Sequence, residues 1–349
     1  MSLTVRLAGI EPVSGPSRKA IRRRMATVVV ILLGLVLALF VVSMMLGSSF
    51  ITPGAVIDGL LGRGSGSSNF VVRELRLPRS VAAIVIGLAL GASGTMFQRV
   101  LGNHLASPDL LGVASGAGTA AAAWLILGTA TGTSLTIAAT FGAVATAAAT
   151  YVFAWRRGIT GYRFILVGIG ISVFASSLTS YLIARADFTE ARAATHWLIG
   201  SVGMASRQGI LILTGVCALV ALLGPAITRR LALLELGEDA ARGLGSGVQL
   251  DRLLVIACAV ILVGTATAIA GPIAFVALLA GPLAGFLLGT AGASVTAAAL
   301  MGAVVTQVAD LGAQYALPWP ISTGIVTGFI GAPYIVWLIV RANREGMGA

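Results

Sequence analysis

Lysine is nearly missing from this chain, since Lys19 is the only one. A GxxxxGK[ST] phosphate loop needs a lysine after its glycines, so ATP cannot be gripped here by that device. Charge of both signs is scarce, at 10% of residues against roughly a quarter in an ordinary soluble domain. The two histidines, His104 and His196, belong to no HExxH or similar ligand cluster. Cys217 and Cys258 sit in apolar stretches without metal-ligand spacing and read as packing residues. A hydrolase needs a convergent acid, base and nucleophile, and no such set stands out. The expectation is a non-enzymatic chain that holds no metal or cofactor of its own.

What the chain does have is apolar length. Hydrophobic residues make up 57% of it, and mean hydropathy is +0.99. A helix rising about 1.5 Å per residue needs about twenty apolar residues to cross roughly 30 Å of hydrocarbon. Ten such runs are expected, at about 26–46, 80–101, 110–130, 134–155, 163–184, 209–227, 252–270, 273–289, 292–310 and 321–340, with the division of 252–289 falling near Gly271-Pro272. The fold class is therefore an all-α integral membrane protein, with about ten transmembrane helices in one bundle. Gly, Ala and Ser crowd the runs, as in GLALGASG (87–94) and VASGAGTAAAA (113–123), which suits close helix packing in lipid.

Orientation follows from the basic residues, because short cytoplasmic loops retain Lys and Arg. With the N-terminus inside, sixteen of the 23 basic residues fall on the inner side. Seven fall outside: Arg63, Arg73, Arg76, Arg79, Arg185, Arg192 and Arg207. Both termini are thus expected in the cytoplasm, with a basic segment at 1–25, a membrane domain at 26–340 and a tail at 341–349. The net charge of +11 is spread along membrane edges, which argues against nucleic acid as a partner. The first run follows basic residues as a signal peptide would, but it is too long for an h-region and ends without a small-residue cleavage site.

One polar island interrupts the pattern. Between two spans, about 229–250, lie Glu235, Glu238, Asp239 and Arg242, with Asp251 beside them. It reads either as a helix that touches another protein or as a solvated connection. The GLGSG at 243–247 reads better as a helix end and turn than as a nucleotide loop, since no strand precedes it. Asp109, after Pro108, is read as a helix cap, and Asp310 as an interfacial structural residue or an ion relay. An ion relay would make the chain a proton- or sodium-coupled carrier, the rival reading from a different functional class. In RLPR (76–79) the arginines either anchor a helix end or face outward, and Pro78 suits a first helical turn.

Five motifs occur in one order: RLPRS (76–80), GNHLASPDLLGVASGAG (102–118), ELGEDAARGLG (235–245), AGPIAFVAL (270–278) and PISTGIVTGFIGAPYIVWLI (320–339). Together they resemble the FecCD-type permease subunits of ATP-binding-cassette importers for ferric siderophores, haem and cobalamin. That resemblance implies a second permease subunit, identical or paralogous, two ATPase subunits that carry ATP and magnesium, and an extracytoplasmic binding protein, all at the cytoplasmic membrane. It implies a coupling helix using Glu235, Gly237, Glu238, Asp239, Arg242 and Gly245 against the ATPase. It implies docking of the binding protein at Arg76 and Arg79. It also implies a translocation path along the fifth span, where Ser172, Ser176, Ser177, Thr179 and Ser180 either line the path or bond their own backbone, with Trp197 near its mouth in a W-x-x-G-S turn. Two departures from the family pattern are GPLAGF (281–286), which lacks a basic residue, and Gln314, where some relatives carry arginine. The cargo expected is a ferric siderophore, as in the ferric-enterobactin-like branch; haem and cobalamin stay open as alternatives.

Overall fold

The computed structural model describes residues 18–47, 50–64, 66–108, 112–128, 132–155, 161–289 and 294–346. The N-terminal residues 1–17 and Asp109, with its expected capping role, lie outside the described residues. Every described element is helical: α1 (Arg18–Met45), α2 (Pro53–Leu61), α3 (Gly66–Phe70), a π-helical turn (Val71–Arg76), α4 (Leu77–Leu101), α5 (Val113–Leu127), α6 (Thr133–Ala154), α7 (Gly161–Arg185), α8 (Phe188–Ile199), a 3-10 turn (Val202–Met204), α9 (Arg207–Leu222), α10 (Gly224–Glu235), α11 (Glu238–Gly243), α12 (Val248–Ala270), α13 (Val276–Leu288), α14 (Val295–Tyr315) and α15 (Thr323–Gly346).

Six of these helices are long and apolar enough to cross a membrane, and α9 with α10 make a seventh if the pair, bent by 58°, is one span. Three shorter apolar helices, α5, α13 and the apolar part of α15, occupy the remaining expected runs. The bend falls at Gly224-Pro225, where proline sits harmlessly in a first turn. The sequence places the inner island at about 229–250; in the structure α10 carries the sixth span on to Glu235, so the island begins inside a helix. The described residues of the segment 47–79, between the first two expected runs, are also largely helical, through α2, α3 and the π-helical turn.

Helix α4 is the axis of the bundle, packed by α14, α12, α13 and α9. Its small residues explain why. A Cβ on Gly87 or Gly91 would strike the α14 backbone at Gly302, Ala303 or Ala298, and one on Gly302 would strike α4 in return. In lipid, with no water to drive association, such backbone contact supplies dispersion that larger side chains would forbid.

A second device joins α4 to α13. Pro282 lies inside α13 and has no N–H for the carbonyl four residues back, Leu278. The buried Gln98 side chain donates to that carbonyl at 3.0 Å. Gly281 leaves room for the amide, since a Cβ there would collide with Gln98 Oε1.

Candidate functional site

Polar contacts sort the helix ends into two groups. At one end Arg99, in the last turn of α4, holds Glu235 of α10 through two bonds of 2.6 and 3.0 Å. Arg230 of α10 pairs with Asp251 of α12 at 3.1 Å, and Ser246 donates to the same carboxylate at 2.6 Å. Between these braces the chain turns at Gly237, whose φ of 91° suits glycine, runs through α11, and turns again at Gly245, φ 80°. Glu238 and Asp239 open α11 and Arg242 lies in its last turn, which complements the helix dipole.

These island charges are spoken for within the chain. Arg242 bonds Glu238 at 2.6 Å and Asp239 at 3.2 Å, while Arg252 of α12 bonds Glu238 at 3.0 Å. The side chains of Arg242 and Asp239 remain exposed, so water and an incoming partner both compete for these pairs. Ala241 is fully buried and pins α11 down. Sequence reasoning missed the apolar part of this surface. Leu236, Leu244 and Leu250 all stand exposed around the island, and their spacing carries no period that would single them out.

At the other end, the two arginines of RLPR have different roles. Arg76 is buried and donates from Nη1 to the carbonyls of Met44 and Met45, at 2.7 and 2.9 Å. The last carbonyls of α1 lack helical donors, and a guanidinium there satisfies them and favours the dipole. Arg76, expected at the docking rim, anchors the end of α1 in this way. Arg79 keeps part of its side chain in the open, 29% exposed, and clasps Asp310 of α14 through Nε and Nη2, at 3.1 and 2.9 Å. Asp310 is 2% exposed and also accepts from Gln314 at 2.7 Å and from Thr323 at 2.9 Å. Asp310 is thus enclosed, with every contact made to groups of this chain. Arg79, Arg76, Glu74, Gln314, Tyr315 and Gly203 border an open cavity of about 380 Å³. Glu74 is paired with Arg207.

The fifth span, α7, has two faces. Ser172 bonds Ser115 of α5 at 2.7 Å, and Thr179 bonds Thr119 of α5 at 2.8 Å. Both, expected along the path, face α5, because the small residues of α7 form the seam on which α5 rests. Ser176, Ser177 and Ser180 lie on the exposed face beside Val173, Phe174 and Tyr181. Ser177 and Ser180 donate to the carbonyls of Val173 and Ser176 in their own helix. Trp197, expected near the mouth of the path, is 4% exposed and packs in the core. The turn after it ties three elements together: Ser201 N–H bonds Ala270 at 2.8 Å, and Gly324 N–H bonds Gly200 at 3.1 Å.

An all-helical bundle of many apolar spans, with a braced polar elbow at one end and a clasped arginine at the other, defines a membrane transport permease. The FecCD transport family model matches residues 35–341, and the chain belongs to that family. It is a multi-pass protein of the cytoplasmic membrane and not a member of an enzyme class. It is 35% identical over 86% of its length to the ferric enterobactin transport system permease protein FepG of Escherichia coli, covering 91% of that protein. It is 32% identical over 91% of its length to the probable siderophore transport system permease protein YfhA of Bacillus subtilis, covering 95% of it. The achromobactin transport system permease protein CbrC of Dickeya dadantii is 35% identical, with 89% of this chain and 90% of that one covered. A solved inward-facing structure of a metal-chelate type ABC transporter matches with a TM-score of 0.79 and 25% identity, over 90% of this chain and 99% of the other.

Proposed function

We propose that this chain is one of two permease subunits of an ATP-driven importer that moves a ferric siderophore into the cytoplasm. Two separate ATPase subunits supply the energy, with their own ATP and magnesium, and a substrate-binding protein delivers the cargo from outside. The termini and the elbow face the cytoplasm, in keeping with the sixteen-to-seven excess of basic residues on that side.

The observation that carries the reading is the elbow α10–α11. Ion pairs to α4 and α12 brace it on the bundle side, while Leu236, Leu244 and Leu250 stay largely uncovered by the described residues. An apolar patch rimmed by charge marks a protein contact, and a braced lever transmits force from whatever grips it. Glu235 and Glu238 serve mainly to hold the lever. Asp239, Arg242 and the three leucines are what an ATPase groove meets, with Gly237 and Gly245 shaping the turns.

The open face of α7 supports the second subunit. Only 17% of its most apolar window is buried, and three serines lie on the uncovered side, where lipid offers nothing to a hydroxyl. A facing permease would turn this surface into a weakly polar path. The named relatives support ferric siderophore as cargo. The deciding experiment is uptake in cells lacking this chain and then complemented with it, supplied with labelled ferric siderophores, haem and cobalamin. Restored siderophore uptake alone is expected. Restored uptake of cobalamin or haem alone would overturn the cargo, and gradient-driven flux by the purified chain without an ATPase would overturn the class.

A further inference from the structure

We infer that Asp310 is a positioning residue for docking at the outer rim: it consumes one edge of the Arg79 guanidinium and leaves the other edge aimed at an incoming carboxylate. This deepens the reading of the rim as the place where the binding protein lands, and rests on it.

A guanidinium presents its N–H groups in a rigid planar fork. In Arg79 the Nε and Nη2 edge is spent on Asp310, which lies buried beneath it. Nη1 takes no part in that clasp and makes no hydrogen bond or ion pair among the described residues. It lies toward Gly203, on the wall of the open cavity, where a Cβ would stand 3.4 Å away. The other charges of the cavity are already committed, Arg76 to the end of α1 and Glu74 to Arg207. Nη1 is therefore the cationic edge the cavity offers.

Asp310 in turn cannot swing. Gln314 donates to its Oδ2 and Thr323 to its Oδ1, while the Thr323 hydroxyl oxygen accepts the Val202 N–H at 3.3 Å. Arg79 is thus tied to α14, to the start of α15 and to the turn beside Gly203. Held in advance, it loses little freedom when a carboxylate binds, which slows dissociation. The same Asp310 charge opposes an acidic partner at a distance, which slows association. Positioning thus trades arrival rate for residence time, a signature that a purely structural ion pair would not leave.

The test uses the full transporter in lipid nanodiscs and the purified substrate-binding protein of the same system, mixed by stopped flow at low and high salt. Asp310→Asn is expected to associate about threefold faster at low salt and to dissociate about tenfold faster. Thr323→Ser should behave as wild type. Gly203→Leu, which covers Nη1 without altering charge or the clasp, should speed dissociation about tenfold with unchanged thermal stability, and it keeps the idea testable should Asp310→Asn fold poorly. If Arg79→Gln slows docking while Asp310→Asn or Gly203→Leu docks as wild type does, the positioning role is overturned and the docking reading stands. If Arg79→Gln docks unchanged, the docking reading falls and takes the positioning role with it.

Discussion

The helical run Val71–Leu101, which contains α4, and the run Tyr162–Arg185 of α7 have nearly equal hydropathy over their most apolar windows, 1.9 and 1.8, yet 83% of the first window is buried and 17% of the second. Both are rich in small residues. In α4 the glycines at 87, 91 and 94 meet backbone from two neighbours, and Ser93 and Gln98 bond the backbone of two partner helices. In α7 the small and hydroxyl residues at 168, 172, 175 and 179 make one seam against α5, and most of the rest of the surface stays open. Hydropathy reports that a helix prefers lipid to water. Whether its neighbours are lipid, its own chain or a second subunit depends on how many faces carry small or pairing residues.

The sharpest break in this comparison would come at the Arg79–Asp310 clasp of α4. Replacing Asp310 by alanine leaves Arg79 without its enclosed partner and is expected to cost about 3–5 kcal/mol, read as a lower unfolding midpoint of the purified protein. Gly91→Leu should follow at about 3 kcal/mol, because the new side chain must enter the α14 backbone, whereas Phe174→Leu on α7 should stay within about 0.5 kcal/mol. Equal losses at these two positions would erase the distinction between the closed and open helices. Gln98→Leu is expected to cost about 2 kcal/mol, since the Leu278 carbonyl beside Pro282 then has no donor; full stability in that variant would show that the carbonyl is satisfied otherwise.

The remaining two expectations separate stability from transport. Glu238→Gln with Arg242→Gln removes two exposed pairs and weakens the half-buried Arg252–Glu238 pair, so it should cost about 1–2 kcal/mol, yet uncouple uptake from ATP hydrolysis when both are measured in proteoliposomes. The triple change of Ser176, Ser177 and Ser180 to alanine should leave stability unaltered within about 0.5 kcal/mol and slow siderophore uptake. Normal uptake in that variant would mean that the open face of α7 is not part of the path.

Much of the architecture was legible in the chain alone. Apolar runs placed the long helices, and Gly271-Pro272 separated α12 from α13, because both follow from local composition. The partners of the charged residues were not legible. Arg76 caps α1 from 32 residues away, Gln98 replaces a donor lost to Pro282 from 180 away, and Arg79 and Asp310 are separated by 231. Such pairings arise only when the folded bundle brings distant helix ends together, and a buried charge or carbonyl must then take whichever group the packing delivers. For that reason the sequence decided that this protein lives in a membrane and which stretches are apolar enough to form its helices, while the tertiary structure alone decided which of its two RLPR arginines braces α1 and which one clasps Asp310.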